Sequence, residues 1–113
     1  MTPSKFIGML FHSRDMMHIA HLQTTSFAEH KALNGYYDNI LDLTDTFIEA
    51  YFGQNKRVEI VIPEAKNMDA MSHMKEMMAM LNTERNNYSS ELQNIIDEML
   101  GLVDKTAYLL TLT

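Results

Sequence analysis

The chain has 113 residues, 46% hydrophobic and 21% charged, with a formal net charge of −6 and no cysteine. That composition describes one folded domain or one subunit of an assembly, and it excludes disulfides, thiolate metal sites and cysteine nucleophiles. Basic residues are scattered singly apart from Lys56-Arg57, so DNA binding, which needs a basic patch, is not expected; cations or a basic protein surface are the favoured partners.

The N-terminus has no long apolar core after Lys5, and no apolar run approaches the ~20 residues of a membrane span. The expectation is a soluble, cytoplasmic protein with no membrane contact. A first helix is predicted over 3–24, with Thr2 as N-cap and Pro3 in the first turn. Its stripe runs Phe6, Leu10, Met17, with Ser13, His21 and Thr24 on the same line. Ser26 and Glu29 have the spacing of a capping box, which starts a second helix near Phe27. It runs to about Phe52, with Gly53 as the stop.

Residues 53–65 differ in character. Val58, Ile60, Val61 and Ile62 are β-branched without helical spacing, and Pro63 ends the run. A third helix is predicted over 66–84, Asn86-Asn87 makes a turn, and a fourth helix covers 90–111 with the stripe Leu92, Ile96, Met99, Val103, Leu110. At ~1.5 Å per residue the second helix is about 39 Å long. Thirteen extended residues reach about 43 Å at ~3.3 Å each. The connector can therefore run the length of a bundle and start the third helix parallel to the second. Two antiparallel pairs joined by one long crossover make an all-α, ferritin-like four-helix bundle in a single domain. A hairpin strand pairing elsewhere is the competing use of the segment.

Projecting the second helix at 100° per residue from His30 places Asn34 near 40°, Asp45 near 60°, Asp38 near 80°, Glu49 near 100° and Asp42 near 120°. Leu33, Tyr37, Ile40, Leu41, Thr44 and Ile48 fill the neighbouring arc, and no basic residue lies between Lys31 and Lys56. Like charges on adjoining turns repel by a few tenths of a kcal/mol per pair, roughly. A cation relieves that repulsion, and carboxylates with imidazole suit iron, manganese or zinc. A solvated acidic face is the plainer reading of the same spacing. The tight turn brings His21 and His30 together, and His18 lies one turn before His21 as a second-layer or exposed residue.

The stretch "AHLQTTSFAEHKALNGYYDNILDLTDTFIEA" resembles the mini-ferritins of the Dps family. His21 matches the histidine late in that family's first helix, and His30 the histidine of its F-x-x-x-H motif. Asp45 and Glu49 match its D-x-x-x-E, and "DKTAYLL" is similar to the end of its last helix. The resemblance implies an iron site between subunits, with His21 and His30 from one chain and Asp45 and Glu49 from its two-fold neighbour. Ferrous iron, or another divalent metal, would bind there and be oxidised by peroxide or dioxygen, a ferroxidase-like activity without an organic cofactor. It also implies a homo-oligomer, a dimer through the first two helices or a higher hollow assembly. Asn34 stands where the family has an aspartate, with Asp38 one turn on and Asp42 beyond it. The inter-histidine turn is about three residues shorter than the family's, and the N-terminal extension is missing. The short length is similar to small Dps-like proteins of large tailed phages, which implies a host-cytoplasmic setting. The second reading, of another class, is a non-catalytic acidic helical protein that binds a host or partner protein.

Met68, Met71, Met74, Met77, Met78 and Met80 surround His73, either as a soft packing face or as thioethers for cuprous copper. Gly101 inside the fourth helix suggests a close helix approach or a bend. Tyr36, Tyr37, Tyr51 and Tyr88 suit interfaces and core edges alike.

Overall fold

Each of the first two helices starts at a residue whose side chain caps it. In the computed structural model, which describes residues 1–113, Thr2 Oγ1 accepts from Lys5 N at 3.2 Å and starts α1 (Pro3–Gln23). Ser26 Oγ accepts from Glu29 N at 3.2 Å and starts α2 (Phe27–Gln54). Only half of the expected capping box forms. The Glu29 carboxylate accepts from the Thr24 hydroxyl at 2.9 Å, and Thr24 Oγ1 takes the Ser26 N–H.

Two boundaries depart from the sequence reading. Gly53 does not stop α2: no glycine has a positive φ, and the helix continues to Gln54. The last turn is held from outside, because Gln54 bonds Ser89 and Glu91 at the start of α4 (Ser90–Leu110). The third helix begins at 70 rather than 66. Asp69 accepts from both the N–H and the hydroxyl of Ser72, at 2.9 and 2.8 Å, which fixes the start of α3 (Ala70–Glu84). Those bonds hold the Asp69 carboxyl below its usual range. A 3₁₀ turn, Arg85–Asn87, joins α3 to α4, and Arg85 clamps Asp97 through two bonds of 2.7 and 2.9 Å.

End-to-end contacts give the topology. Phe6 at the start of α1 meets Phe47 near the end of α2, and the Met1 amino group pairs with Glu84 at the end of α3 at 3.0 Å. At the other end, Ala20 and Gln23 of α1 border Met68 and Asp69, and Ala32 of α2 borders Leu109 of α4. So α1 and α4 run one way, and α2 and α3 the other. The result is an all-helical four-helix bundle in which one long connector returns the chain to the end where α2 began.

That connector, residues 55–69, is extended and forms no strand pair; it lies along α1. Ser4 donates to the Glu59 carbonyl, His12 Nδ1 to the Pro63 carbonyl at 3.1 Å, and Lys66 N to Met16 Sδ at 3.4 Å. Between these contacts the Val61 carbonyl comes so close to α1 that a Cβ on Gly8 would overlap its oxygen. The connector explains why α1 carries apolar residues on every side: no residue from 6 to 21 is fully exposed. The core runs from Leu33 and Met17 down to a cluster of Phe6, Phe47, Tyr51 and Tyr88, whose rings lie 5.2–6.3 Å apart. Tyr51 and Tyr88 are thus core-edge aromatics.

A Cβ on Gly101 would meet nothing within 4 Å, so no close helix approach explains that glycine. The two glycines therefore respond oppositely to alanine. Gly101→Ala should raise stability by about 0.5–1 kcal/mol through helix propensity. Gly8→Ala gains the same propensity but must displace the Val61 carbonyl, and should lower stability by about 1–3 kcal/mol net, as overpacking does. Urea unfolding of both variants checks this; a stabilised Gly8→Ala protein would mean the connector does not lie there.

Candidate functional site

The α1–α2 turn brings His21 and His30 into direct contact. His21 Nδ1 donates to the His30 carbonyl at 2.7 Å and His30 Nδ1 donates to the His21 carbonyl at 2.8 Å. The rings stack with centroids 3.7 Å apart and planes 19° from parallel. The stack extends both ways. Phe27 lies beyond His30 at 6.3 Å, and Tyr37 meets the edge of His21 at 5.1 Å. His18 stacks on Tyr37 at 4.3 Å, and the Arg14 guanidinium sits 6.0 Å from the same ring. His18 is thus part of the aromatic column and not an exposed bystander.

Both Nδ1 atoms are spent on carbonyls, which leaves each Nε2 with a lone pair, the arrangement found where histidines ligate metals. The stacking works against a shared ion, however. Nearly parallel rings hold their lone pairs in separate planes, and an ion ~2.0–2.1 Å from both nitrogens would lie far out of each plane. Asp45 and Glu49 are not brought to the histidines within one chain. Asp45 is about 22 Å along α2 from His30, at ~1.5 Å per residue. No group of three or more His, Asp or Glu side chains converges as a metal site in the chain.

The acidic residues of α2 have a different environment. Asp38, Asp42, Asp45 and Glu49 are all exposed, as is Asn34, which accepts from the Tyr37 hydroxyl at 3.0 Å and donates to Asp38 at 3.4 Å. None of the four carboxylates is ion-paired. The ion pairs of the chain use Glu84, Asp15 and Asp97 instead.

A buried polar chain crosses the core, and the sequence reading missed it. Ser13 Oγ lies 2.6 Å from the Tyr36 hydroxyl and 2.6 Å from His73 Nε2, joining α1, α2 and α3. Ser13 and Tyr36 are fully buried and His73 is 3% exposed. Running the protons from Tyr36 to Ser13 to His73 leaves one unsatisfied group, the His73 Nδ1–H. The reverse direction also strands the Tyr36 proton, so the first is favoured. Burial, and secondarily the neighbouring His12, pulls the His73 pKa down to about 4. Burial likewise raises that of Tyr36. A serine beside a histidine suggests a nucleophile, but nothing orients this ring from Nδ1 and no substrate reaches Ser13. The spacing signal was there: Ser13 interrupts the apolar run of Phe6, Leu10 and Met17 on the α1 stripe. The six methionines around His73 are buried or packed against the core, a packing face.

The surface hollows are shallow. The largest, about 300 Å³, opens over Phe27 and His30 at the α1–α2 turn, with Phe27 its one apolar lining residue. That is the lower limit for a small-molecule cleft. No helix is long and apolar enough to cross a membrane.

Comparison with known proteins supplies a family and a relative. The model of a family described as "Family of unknown function (DUF5856)" matches residues 21–110. An uncharacterized 14.6 kDa protein from the mobD-ri intergenic region of Enterobacteria phage T4 is 29% identical over 116 residues, covering 97% of this chain and 91% of that protein. No solved structure matches. One match is to a family of unknown function and the other to an uncharacterized phage protein; neither is to the Dps proteins that the His/Asp/Glu motif resembles.

The polar chain predicts a pH dependence. Between about pH 4 and 6.5 the unfolded chain binds more protons at His73 than the folded one. Stability is therefore full above about pH 6.5 and falls as pH drops towards 4, by at most ~1.4 kcal/mol per pH unit. His73→Gln, which keeps a polar side chain but cannot titrate, should flatten that slope in urea unfolding at pH 5 and 7. An unchanged slope would remove His73 as its source.

Proposed function

This chain belongs to DUF5856, a family of unknown function, and from that premise we propose that it is a non-catalytic, phage-encoded helical adaptor that binds a basic protein surface. The carrying observation is the α2 strip of Asp38, Asp42, Asp45 and Glu49, four exposed carboxylates gathered on one side of one helix along more than two turns without one basic partner. A row of unneutralised carboxylates on a rigid helix is a field that attracts a cationic surface and sets its orientation. The T4 relative supports the phage setting. A host-cytoplasmic location follows from that setting as part of the proposal.

A second reading keeps the ferritin-like scaffold and its iron chemistry, and one observation favours it: the reciprocal Nδ1 bonds that leave the His21 and His30 Nε2 lone pairs free. It requires a dimer through α1 and α2 in which a neighbour supplies Asp45 and Glu49, with Asp38 or Asp42 in place of the aspartate lost at Asn34. It also requires the histidine stack to open, since the stacked rings do not fit one shared ion. Iron, or another divalent metal, would then be a substrate and not a resident group.

The two readings separate in one pair of measurements. Under the adaptor reading, Asp42→Lys with Asp45→Lys abolishes capture of a specific partner from infected-cell lysate, capture is lost at high salt, and chelators do not affect it. Under the iron reading, anaerobic ferrous titration followed by peroxide gives the ultraviolet rise of ferric species, and His30→Ala with Asp45→Ala removes it. A capture set unchanged by the charge reversal overturns the adaptor reading; identical ferrous titrations of wild type and the double alanine variant overturn the iron reading.

A further inference from the structure

The connector between α2 and α3 presents a free edge that is complementary to itself. We infer that residues 56–64 pair, antiparallel and about a two-fold axis through Ile60, with the same segment of a second copy of this chain. In an extended chain, the main-chain groups of alternate residues point to opposite edges. The carbonyls of Glu59 and Pro63 accept hydrogen bonds from α1, and that of Val61 lies against Gly8. The odd-numbered residues thus face α1. The N–H and C=O groups of Val58, Ile60, Ile62 and Glu64 face outward, and no backbone group of the chain pairs with them. Pro63 lacks a donor only on the inner edge, so it does not interrupt an outer ladder.

Such an edge is a template for another strand, and natural proteins usually block it. Here it is uncovered: Ile60, Val61 and Ile62 are 41, 58 and 45% exposed. The sequence selects the occupant. In an antiparallel pair centred on Ile60, Lys56 stands opposite Glu64, Val58 opposite Ile62, and Ile60 opposite itself. All five positions share one face by alternation, so charge meets opposite charge and apolar meets apolar. A one-residue slip would set an outward-facing residue against one whose main-chain groups are committed to α1. A two-residue slip would set Lys56 opposite Ile62, or Glu64 opposite Val58. Of these registers only the one centred on Ile60 satisfies both the backbone and the side chains, and a surface that is its own complement is what a two-fold dimer requires. The pairing does not depend on the role of the α2 acidic strip.

Sedimentation velocity of the full chain over about 1–100 μM, the range where weak dimers form, tests the inference, with circular dichroism confirming that each variant is folded. Wild type should show a reversible dimer. Ile60→Asp places two carboxylates across the axis and should weaken dimerisation about tenfold or more. Lys56→Glu and Glu64→Lys should each weaken it about three- to tenfold, and combining them should restore wild-type behaviour to within about threefold, because the cross-strand pairs re-form with reversed sign. A wild type that stays monomeric overturns the inference. So does a dimer insensitive to Ile60→Asp, or a double reversal as weak as either single one.

Discussion

The attachment of an extended connector to α1 is the contact on which the rest of the bundle depends. It is a main-chain contact: carbonyls of Glu59, Val61 and Pro63 meet Ser4, Gly8 and His12 at regular intervals along the helix. Gly8 makes it possible, since any side chain there would occupy the space of the Val61 oxygen. With the connector in place the chain returns the full length of the molecule, about 43 Å along its long axis, before α3 begins. That return makes α2 and α3 parallel. It also turns the alternate main-chain groups of the connector outward, and it leaves one face of α2 with no neighbour inside the chain.

The interior then has to reconcile an apolar core with one polar line through it. Tyr36, Ser13 and His73 sit on three different helices and satisfy one another except at His73 Nδ1. Such a line fixes the rotational setting of α1, α2 and α3, because a slip of any one helix strands two buried polar groups at about 1–3 kcal/mol each. Methionines suit the surroundings of His73, since a flexible thioether fills the irregular space beside a ring. At the α1–α2 turn the histidines do a comparable job by a different route. Their Nδ1 donors tie the last turn of α1 to the first of α2, and their faces continue an aromatic column from Phe27 to Tyr37.

Much of this was legible in the sequence, and the misses have identifiable physical causes. Thr2, Pro3 and Ser26 mark helix starts because capping chemistry is local. The long connector was legible because its length matches that of α2. Asp69 was missed as a cap because helical propensity continues upstream of it through Glu64-Ala65-Lys66, and only the bonds to Ser72 decide the boundary. Gly53 looked like a stop, yet contacts from Ser89 and Glu91, far along the chain, carry the helix past it. The proximity of His21 and His30 follows from the turn. Their stacking does not, because it depends on ring orientations set by two carbonyls. The acidic strip was visible as a periodicity; only its exposure and lack of ion pairs distinguish a solvated, available face from a cluster gathered around something within the chain.

Chain direction is the most direct test of the account, because the free α2 face and the outward connector edge both follow from it. The chain has no cysteine, so Asn67→Cys gives a single site for a nitroxide label just before the start of α3, beside Ala20, Gln23 and Glu29. With α2 and α3 parallel, the label should broaden amide signals in the last turns of α1 and the first turns of α2, and spare residues 47–54 at the far end of α2. Broadening at 47–54 with residues 27–34 spared would mean that the connector does not cross the bundle, and would contradict the account.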